Sequence, residues 1–300
     1  MTRLLSIGEV MGEMRRDAAG GFALGFAGDT YNAAVYARRA DPSLAVGYMT
    51  AVGLDPLSDA MLAAARAEGI DVARIRRDPR CQIGLYSVST DADGERSFHY
   101  WRSASAARAA FDGGVPEGAL AGVEVALLSG ISLAILPPAA RAALLDALAA
   151  APCRVAFDGN YRPALWEDAD TARAATEAAF RLADVALPSL DDLAALWGDD
   201  EARALRRLAG WGCADGALKC GAAGPVGLDG VRPAGCPPAE RVVDTTAAGD
   251  SFDGAFLAAR MRGMDAEAAM RAGHAMARIV VAHPGAIVPR AATDAARLDA

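Results

Sequence analysis

The 300-residue chain reads as an α/β protein: a mostly parallel central sheet with helices on both faces and a small β lid. Three observations predict this. Short apolar runs alternate with Ala-rich helical segments along most of the chain, the pattern of strands buried on both faces by crossover helices. Two helical segments open on a candidate cap, one at Asp29 or Thr30 and one at Asp55. One pair of alternating segments breaks the alternation as a hairpin, which has no place inside a parallel sheet.

In chain order, Leu4 to Ile7 is a short strand ended by Gly8, and Glu9 to Phe26 is expected to be irregular, turning at Gly20-Gly21. Asp29-Thr30-Tyr31-Asn32 opens a helix running to about Arg39, with Asp29 or Thr30 as its cap. Leu44 to Ala51 is a strand. Asp55-Pro56 starts a helix that Gly69 stops, the cap and first-position Pro both being present. The hairpin is Cys81 to Thr90 and Arg96 to Arg102 around Asp91-Ala92-Asp93-Gly94. Strands then follow at Val125 to Ser129, Arg154 to Phe157, Val185 to Leu187 and Gly216 to Lys219. Helices lie between them at Pro138 to Ala150, Asp170 to Leu182, Asp191 to Trp197 and Glu201 to Ala209. Short strands at Val226 to Leu228 and Arg241 to Val243 precede helices Gly249 to Arg262 and Asp265 to Val281. No boundary splits the chain, so one domain over residues 1–300 is expected, its lid contributed by about residues 9–27 and 81–103.

Bulk properties narrow the function. The chain is 53% apolar with 31 Gly and 15 Pro, a globular, turn-rich composition. Its net charge of −8 argues against nucleic acid or an anionic membrane surface as partner. No apolar stretch reaches the roughly 20 residues of a membrane span. The five cysteines are scattered without a Cys-x-x-Cys pair and read as reduced thiols. With no secretory leader legible at Met1 to Gly8, a cytoplasmic location is expected. Lys219 is the single lysine among 30 basic residues, placed directly before Cys220-Gly221-Ala222-Ala223-Gly224, which suggests a place near phosphates.

The segment Val242 to Phe256 carries the most chemistry, because small residues and one carboxylate stand where a loop becomes a helix. Small side chains let backbone N–H groups approach an anion at the positive end of that helix. Asp250, in the first turn, could accept a proton from a substrate hydroxyl. Further polar groups follow the predicted strands: Gly8-Glu9, Ser129-Gly130, Asp158 to Arg162, Ser189 and Lys219 to Gly221. Ligands of open parallel sheets sit at such strand ends, so one shared cleft is expected.

The string Asp244-Thr245-Thr246-Ala247-Ala248-Gly249-Asp250 resembles the C-terminal signature of the PfkB (ribokinase-like) carbohydrate kinases. Phe26 to Ala34, Thr90 to Ala107 and Asn160 to Trp166 extend the resemblance over nearly the whole chain. Within the family it narrows to the 2-keto-3-deoxygluconate kinases. The resemblance implies a ribokinase-like fold and ATP-dependent phosphorylation of the terminal 6-hydroxyl of that sugar acid. Asp250 would be the base, with Ala248 and Gly249 forming the anion hole. Gly28, Asn32, Tyr86, Tyr100, Arg102 and Arg162 would bind the sugar, the two arginines meeting its carboxylate through paired bonds. Ser189, Lys219, Gly221, Gly224 and Gly249 would follow the nucleotide phosphates. Ala272, Gly273, Met276 and Ala277 would face adenine. Mg²⁺ would ride on the ATP oxygens mainly through water, with no protein ligand assigned, and a monovalent cation is a further candidate. Ser189-Leu190-Asp191-Asp192 replaces the family's Asn-x-x-Glu, and Asp253 stands where Asn is usual.

Alternatives remain at this stage. The acceptor could be another ketodeoxy sugar acid or a hexose, or the fold could serve as a sugar sensor, which has no need of Asp250. The three histidines show no zinc spacing, and neither a Gly-x-Ser-x-Gly elbow nor a dinucleotide fingerprint is present. Cross-strand packing is the other role open to Tyr86, Tyr100 and Trp101. The lid edge could pair with a second subunit.

Overall fold

Period-2 burial along the strands sets the architecture. In the computed structural model, which describes residues 3–16, 20–90 and 96–298, Leu4 faces one apolar cluster while Leu5 and Ile7 face another. The same alternation recurs at Val125 and Leu127 against Ala126 and Leu128, so both faces of the sheet are covered.

The elements are β1 (Leu4–Ile7), β2 (Met11–Arg16), β3 (Phe22–Ala27), α1 (Asp29–Ala40), β4 (Val46–Val52), α2 (Pro56–Ala67) and β5 (Ile75–Arg77). The chain continues with β6 (Gly84–Thr90), β7 (Arg96–Trp101), β8 (Val125–Ser129), α3 (Gly130–Ala134), α4 (Pro138–Ala150) and β9 (Arg154–Asp158). Then come α5 (Ala169–Leu182), β10 (Val185–Ala186), α6 (Leu190–Trp197), α7 (Glu201–Trp211), β11 (Ala217–Lys219), β12 (Pro225–Gly227), α8 (Ala248–Met261) and α9 (Ala266–Val281).

Six strands form a sheet in the order β10-β9-β8-β1-β4-β5, every pair parallel. Residues of α1, α2, α8 and α9 cover one face and residues of α4 to α7 the other. Beyond β10 the sheet is continued only by single bridges, Ala186 to Gly216 and Ser189 to Lys219, and β11 pairs antiparallel with β12.

A second sheet has the order β3-β2-β6-β7, antiparallel at both outer pairs and parallel between β2 and β6. Two of its strands replace the irregular segment expected over Glu9 to Phe26. Their pattern misleads because Glu13 is buried, its carboxylate accepting from the Tyr86 hydroxyl at 2.6 Å, while Phe22 and Leu24 are exposed. The hairpin turn expected at Asp91 to Gly94 lies outside the described residues.

Other expectations change locally. No side chain caps α1: its N-cap is Gly28, and Asp29 instead accepts from Ser129 and Asn160. Asp55 caps α2 as expected, accepting from Ser58 N at 3.0 Å. Arg241 to Val243 is not a strand; Val242 is exposed and the Val243 N–H bonds the Val281 carbonyl at the end of α9. The short strand β5 and helix α3 were not anticipated.

Candidate active site

A cavity of about 790 Å³ opens at the carboxyl ends of the parallel strands, beneath the second sheet. It gathers Gly28, Asn32, Tyr86, Tyr100, Arg102, Arg162, Ser189, Lys219, Gly221, Ala248, Gly249 and Asp250, residues drawn from seven segments of the chain. A smaller adjoining hollow of about 100 Å³ shares Lys219, Gly221, Ala248 and Gly249 and adds Gly224, Phe252, His274 and Ala277.

The end of the cavity that holds Asp250 is built on the start of α8. Its N-cap, Ala247, adopts a left-handed backbone (φ 61°) and gives no side-chain hydrogen bond to the first turn. A non-glycine residue there costs roughly 1–2 kcal/mol, a strain typical of functional loops. The helix start is uncapped and its side chains are small, so its first N–H groups are open to the cavity. Gly249 lies beside Lys219: a Cβ there would stand 3.5 Å from its Nζ, an ordinary contact distance.

Asp250 Oδ2 accepts from Asn32 Nδ2 at 2.8 Å, and Asn32 Oδ1 accepts from the Gly28 N–H at 3.3 Å. One amide side chain thus joins the base to the loop preceding α1. That loop is pressed against the end of β1: a Cβ on Gly28 would lie 2.0 Å from the Glu9 carbonyl oxygen, so only glycine fits. Burial pushes the Asp250 carboxyl up to about 7, Asp29 and Asp158 adding to the rise while Asn32 and Lys219 oppose it.

Lys219 Nζ lies 2.9 Å from both oxygens of Asp253 and 3.1 Å from Asp158 Oδ2. Burial alone would lower its pKa, but Asp158 and Asp253 outweigh it and hold the ammonium above the ordinary lysine value. Asp253, itself 2% exposed, is therefore ion-paired rather than solvated.

Each arginine is paired with an acid. Arg102 meets Glu9, and Arg162 lies 3.6 Å from Asp192 while donating to the Tyr161 carbonyl at 2.8 Å. Burial raises the Asp192 carboxyl, reinforced by Asp158. Tyr86 and Tyr100 stack obliquely, ring centroids 5.7 Å apart, on the cavity side of β6 and β7.

Several groups at the site were not singled out as binding residues by the sequence. Asp29 reads as a helix cap in the sequence, yet it lines the cavity, its carboxylate held by Asn160 Nδ2 at 2.8 Å and by Ser129. Asn160 is itself left-handed, at φ 28°. Glu9, Asp158 and Asn160 stood only in predicted strand-end loops. The positions expected at adenine divide: Ala277 borders the smaller hollow, whereas Met276 is fully buried in the core and Gly273 packs on Phe252, a Cβ there meeting the ring at 2.8 Å. Ala272 is half-buried against the core and lines neither cavity.

Known proteins are similar to this chain in sequence and in fold. The sequence pattern described as pfkB family carbohydrate kinase matches residues 1–293. The chain is 42% identical to a 2-dehydro-3-deoxygluconokinase of Dickeya dadantii, over 94% of this chain and 96% of the relative. It is 40% identical to the 2-dehydro-3-deoxygluconokinase of Escherichia coli K12, over 98% and 99%. Among solved structures, a PfkB protein from Polaromonas sp. JS666 superposes with a TM-score of 0.80 at 27% identity, covering 93% of this chain and 95% of that one. With the family pattern spanning all but the last few residues and the parallel sheet carrying its polar groups at one end, this chain belongs to the PfkB family of carbohydrate kinases and has its ribokinase-like fold.

Proposed function

We propose that this kinase transfers the γ-phosphoryl group of ATP to the terminal 6-hydroxyl of 2-keto-3-deoxygluconate (2-dehydro-3-deoxygluconate), giving the 6-phosphate. The observation that carries the reading is that Asp250 shares one cavity with Arg102 and Arg162. A base for a hydroxyl and guanidinia for a carboxylate suit a hydroxy acid, and the relatives at about 40% identity bear the corresponding name.

Asp250 takes the proton of the 6-hydroxyl as its oxygen forms a bond to the γ-phosphorus, and the bond to the β–γ bridging oxygen breaks to release ADP. The amides of Ala248 and Gly249, at the start of α8, stabilise the charge on the transferred group, and Lys219 stands beside them. Ser189, Gly221 and Gly224 border the path of the other phosphates, with adenine towards His274 and Ala277. Gly28 and Asn32 hold the sugar hydroxyls, and Tyr86 and Tyr100 cover the sugar from the second sheet, which acts as a lid.

The cavity wall carries six carboxylates, those of Glu9, Asp29, Asp158, Asp191, Asp192 and Asp250, against three cations, Arg102, Arg162 and Lys219. Two anionic substrates therefore need a counter-charge, which Mg²⁺ supplies when bound to the ATP oxygens. Among the described residues no three His, Cys, Asp or Glu side chains converge on a metal position.

ADP release with 2-keto-3-deoxygluconate, 2-keto-3-deoxygalactonate, fructose and ribose tests the reading. Turnover on the two acids well above that on the neutral sugars is expected. Equal turnover on fructose would remove the carboxylate from the recognition scheme.

A further inference from the structure

Glu9 is the buried acid of the site with no part in phosphoryl transfer. It is 1% exposed at the end of β1, where Oε1 accepts from the Ser105 hydroxyl and Oε2 pairs with Arg102 Nη2. Gly84 on β6 makes room for the pair: a Cβ there would stand 3.0 Å from Glu9 Oε1 and 3.3 Å from Arg102 Cβ. The Arg102 side chain is 11% exposed and lies at the cavity wall; neither its buried Nε nor its Nη2 makes a hydrogen bond among the described residues, Nη2 meeting Glu9 Oε2 as an ion pair alone. Its other close neighbour is the Tyr100 ring, 5.8 Å from the guanidinium carbon. The cation that would meet an acidic substrate is thus already neutralised, and its Nε donor is left open.

An incoming carboxylate creates a conflict. Two carboxylates on one guanidinium in a buried place cannot both stay ionised without a large penalty, and the more buried of the two is the easier to protonate. Resting on the sugar-acid reading above, we propose that Glu9 is a proton-coupled partner of Arg102: it neutralises the guanidinium in the empty cavity and yields it to the substrate carboxylate by taking up one proton as the acid binds. A neutral sugar brings no charge to displace it, so the ion pair stays closed. Burial already holds the Glu9 carboxyl above the ordinary range, against the pull of Arg102, Ser105 and Arg108. The ionisable groups around it are Arg102 after β7, Arg108 in the turn 106–109, Tyr48 on β4 and, across Arg102, Asp29 at the start of α1.

Calorimetric titration with 2-keto-3-deoxygluconate, near neutral pH and without nucleotide, in two buffers of different ionisation enthalpy reads the proton directly. The Asp250→Asn protein is used so that the base contributes no proton of its own. Uptake of about one proton per sugar bound is expected, falling to none when Glu9→Gln is added. In turnover, KM for the acid should rise by up to about tenfold per pH unit above the Glu9 titration. Glu9→Gln should flatten that slope while leaving the pH dependence of kcat in place. Binding without proton uptake, or an unchanged KM slope in Glu9→Gln, overturns the proposal. Should Glu9→Gln fail to fold, the uptake measured with Glu9 present still decides. A wild-type enzyme that releases no ADP with either acid rejects the sugar-acid reading instead, a separate outcome.

Discussion

Lys219 reaches both carboxylate oxygens of Asp253 at 2.9 Å, locking β11 to the second turn of α8 next to the proposed anion hole. The ammonium is thereby fixed beside Gly249 instead of sweeping the solvent. Removing one partner of a buried pair usually costs about 3–5 kcal/mol, because the other charge is left without compensation. Lys219→Met, which strands Asp253 and Asp158 together, is expected to lower stability by about that amount in chemical denaturation. Asp253→Asn keeps an acceptor for Lys219 and leaves Asp158 in place, so a loss on the order of 1 kcal/mol is expected there.

Asp250 couples activity and stability in opposite directions. With its carboxyl pushed up to about 7, kcat should fall about tenfold for each pH unit below that value, as the base becomes protonated. Asp250→Asn should reduce kcat about 10²–10⁴-fold with little change in KM. The stability effect has the other sign. The folded carboxyl titrates above its unfolded value near 4, so the folded state holds an extra proton between about pH 4 and 7, and Asp250 becomes destabilising as pH rises through that window. Asp250→Asn is therefore expected to raise the melting temperature at pH 8, by the equivalent of about 1–2 kcal/mol, and to change little at pH 5.

Gly249→Ala separates the proposed anion hole from the fold. A Cβ meets Lys219 Nζ only at ordinary contact distance, and alanine favours the helix by about 0.5–1 kcal/mol over glycine, so melting should be unchanged or slightly higher. The added methyl would project towards Lys219 Nζ, beside the amides proposed to hold the transferred group. A loss of kcat on the order of 10²-fold is expected, read against unaltered unfolding.

The outer strands of the second sheet expose Phe22 and Leu24 on β3 and Trp101 on β7, all on the face opposite Phe98 and Tyr100, which line the cavity. A second copy of the chain is the occupant we expect for this face, since unpaired edges with large apolar side chains favour association. Light scattering should report a dimer in the wild type and a monomer in the double variant Leu24→Glu, Trp101→Glu.

How far the sequence revealed all this differs by region. The parallel core was legible because its strands are apolar on both faces and Asp55 caps α2 as read; Asp168, Ser189, Asp200 and Asp265 also cap their helices, though none was named as a cap from the sequence. The lid strands β2 and β3 were not, because a buried Glu13 and exposed Phe22 and Leu24 invert the usual inside-outside code. Asp250 could be nominated from its small-residue setting alone. Glu9 could not be given a role, for its partner Arg102 lies more than ninety residues away and only the fold brings them together. Asp29 misled for a related reason: acidic residues at helix starts normally cap, and this one is drawn off by Asn160 and Ser129.

The parallel pairing of β2 with β6 bears on the order of folding. Met11 meets Gly84 and Arg15 meets Val88, while β3, α1, β4, α2 and β5 occupy the intervening chain. Closing so long a loop carries an entropic cost that packing of the intervening elements must first offset. The central pairing of the lid is thus expected late in folding, after α1 and β4 have docked on β1. By then the segment carrying Gly28 and Asn32 is already seated, and an unfinished chain exposes its adhesive lid edges for the shortest time.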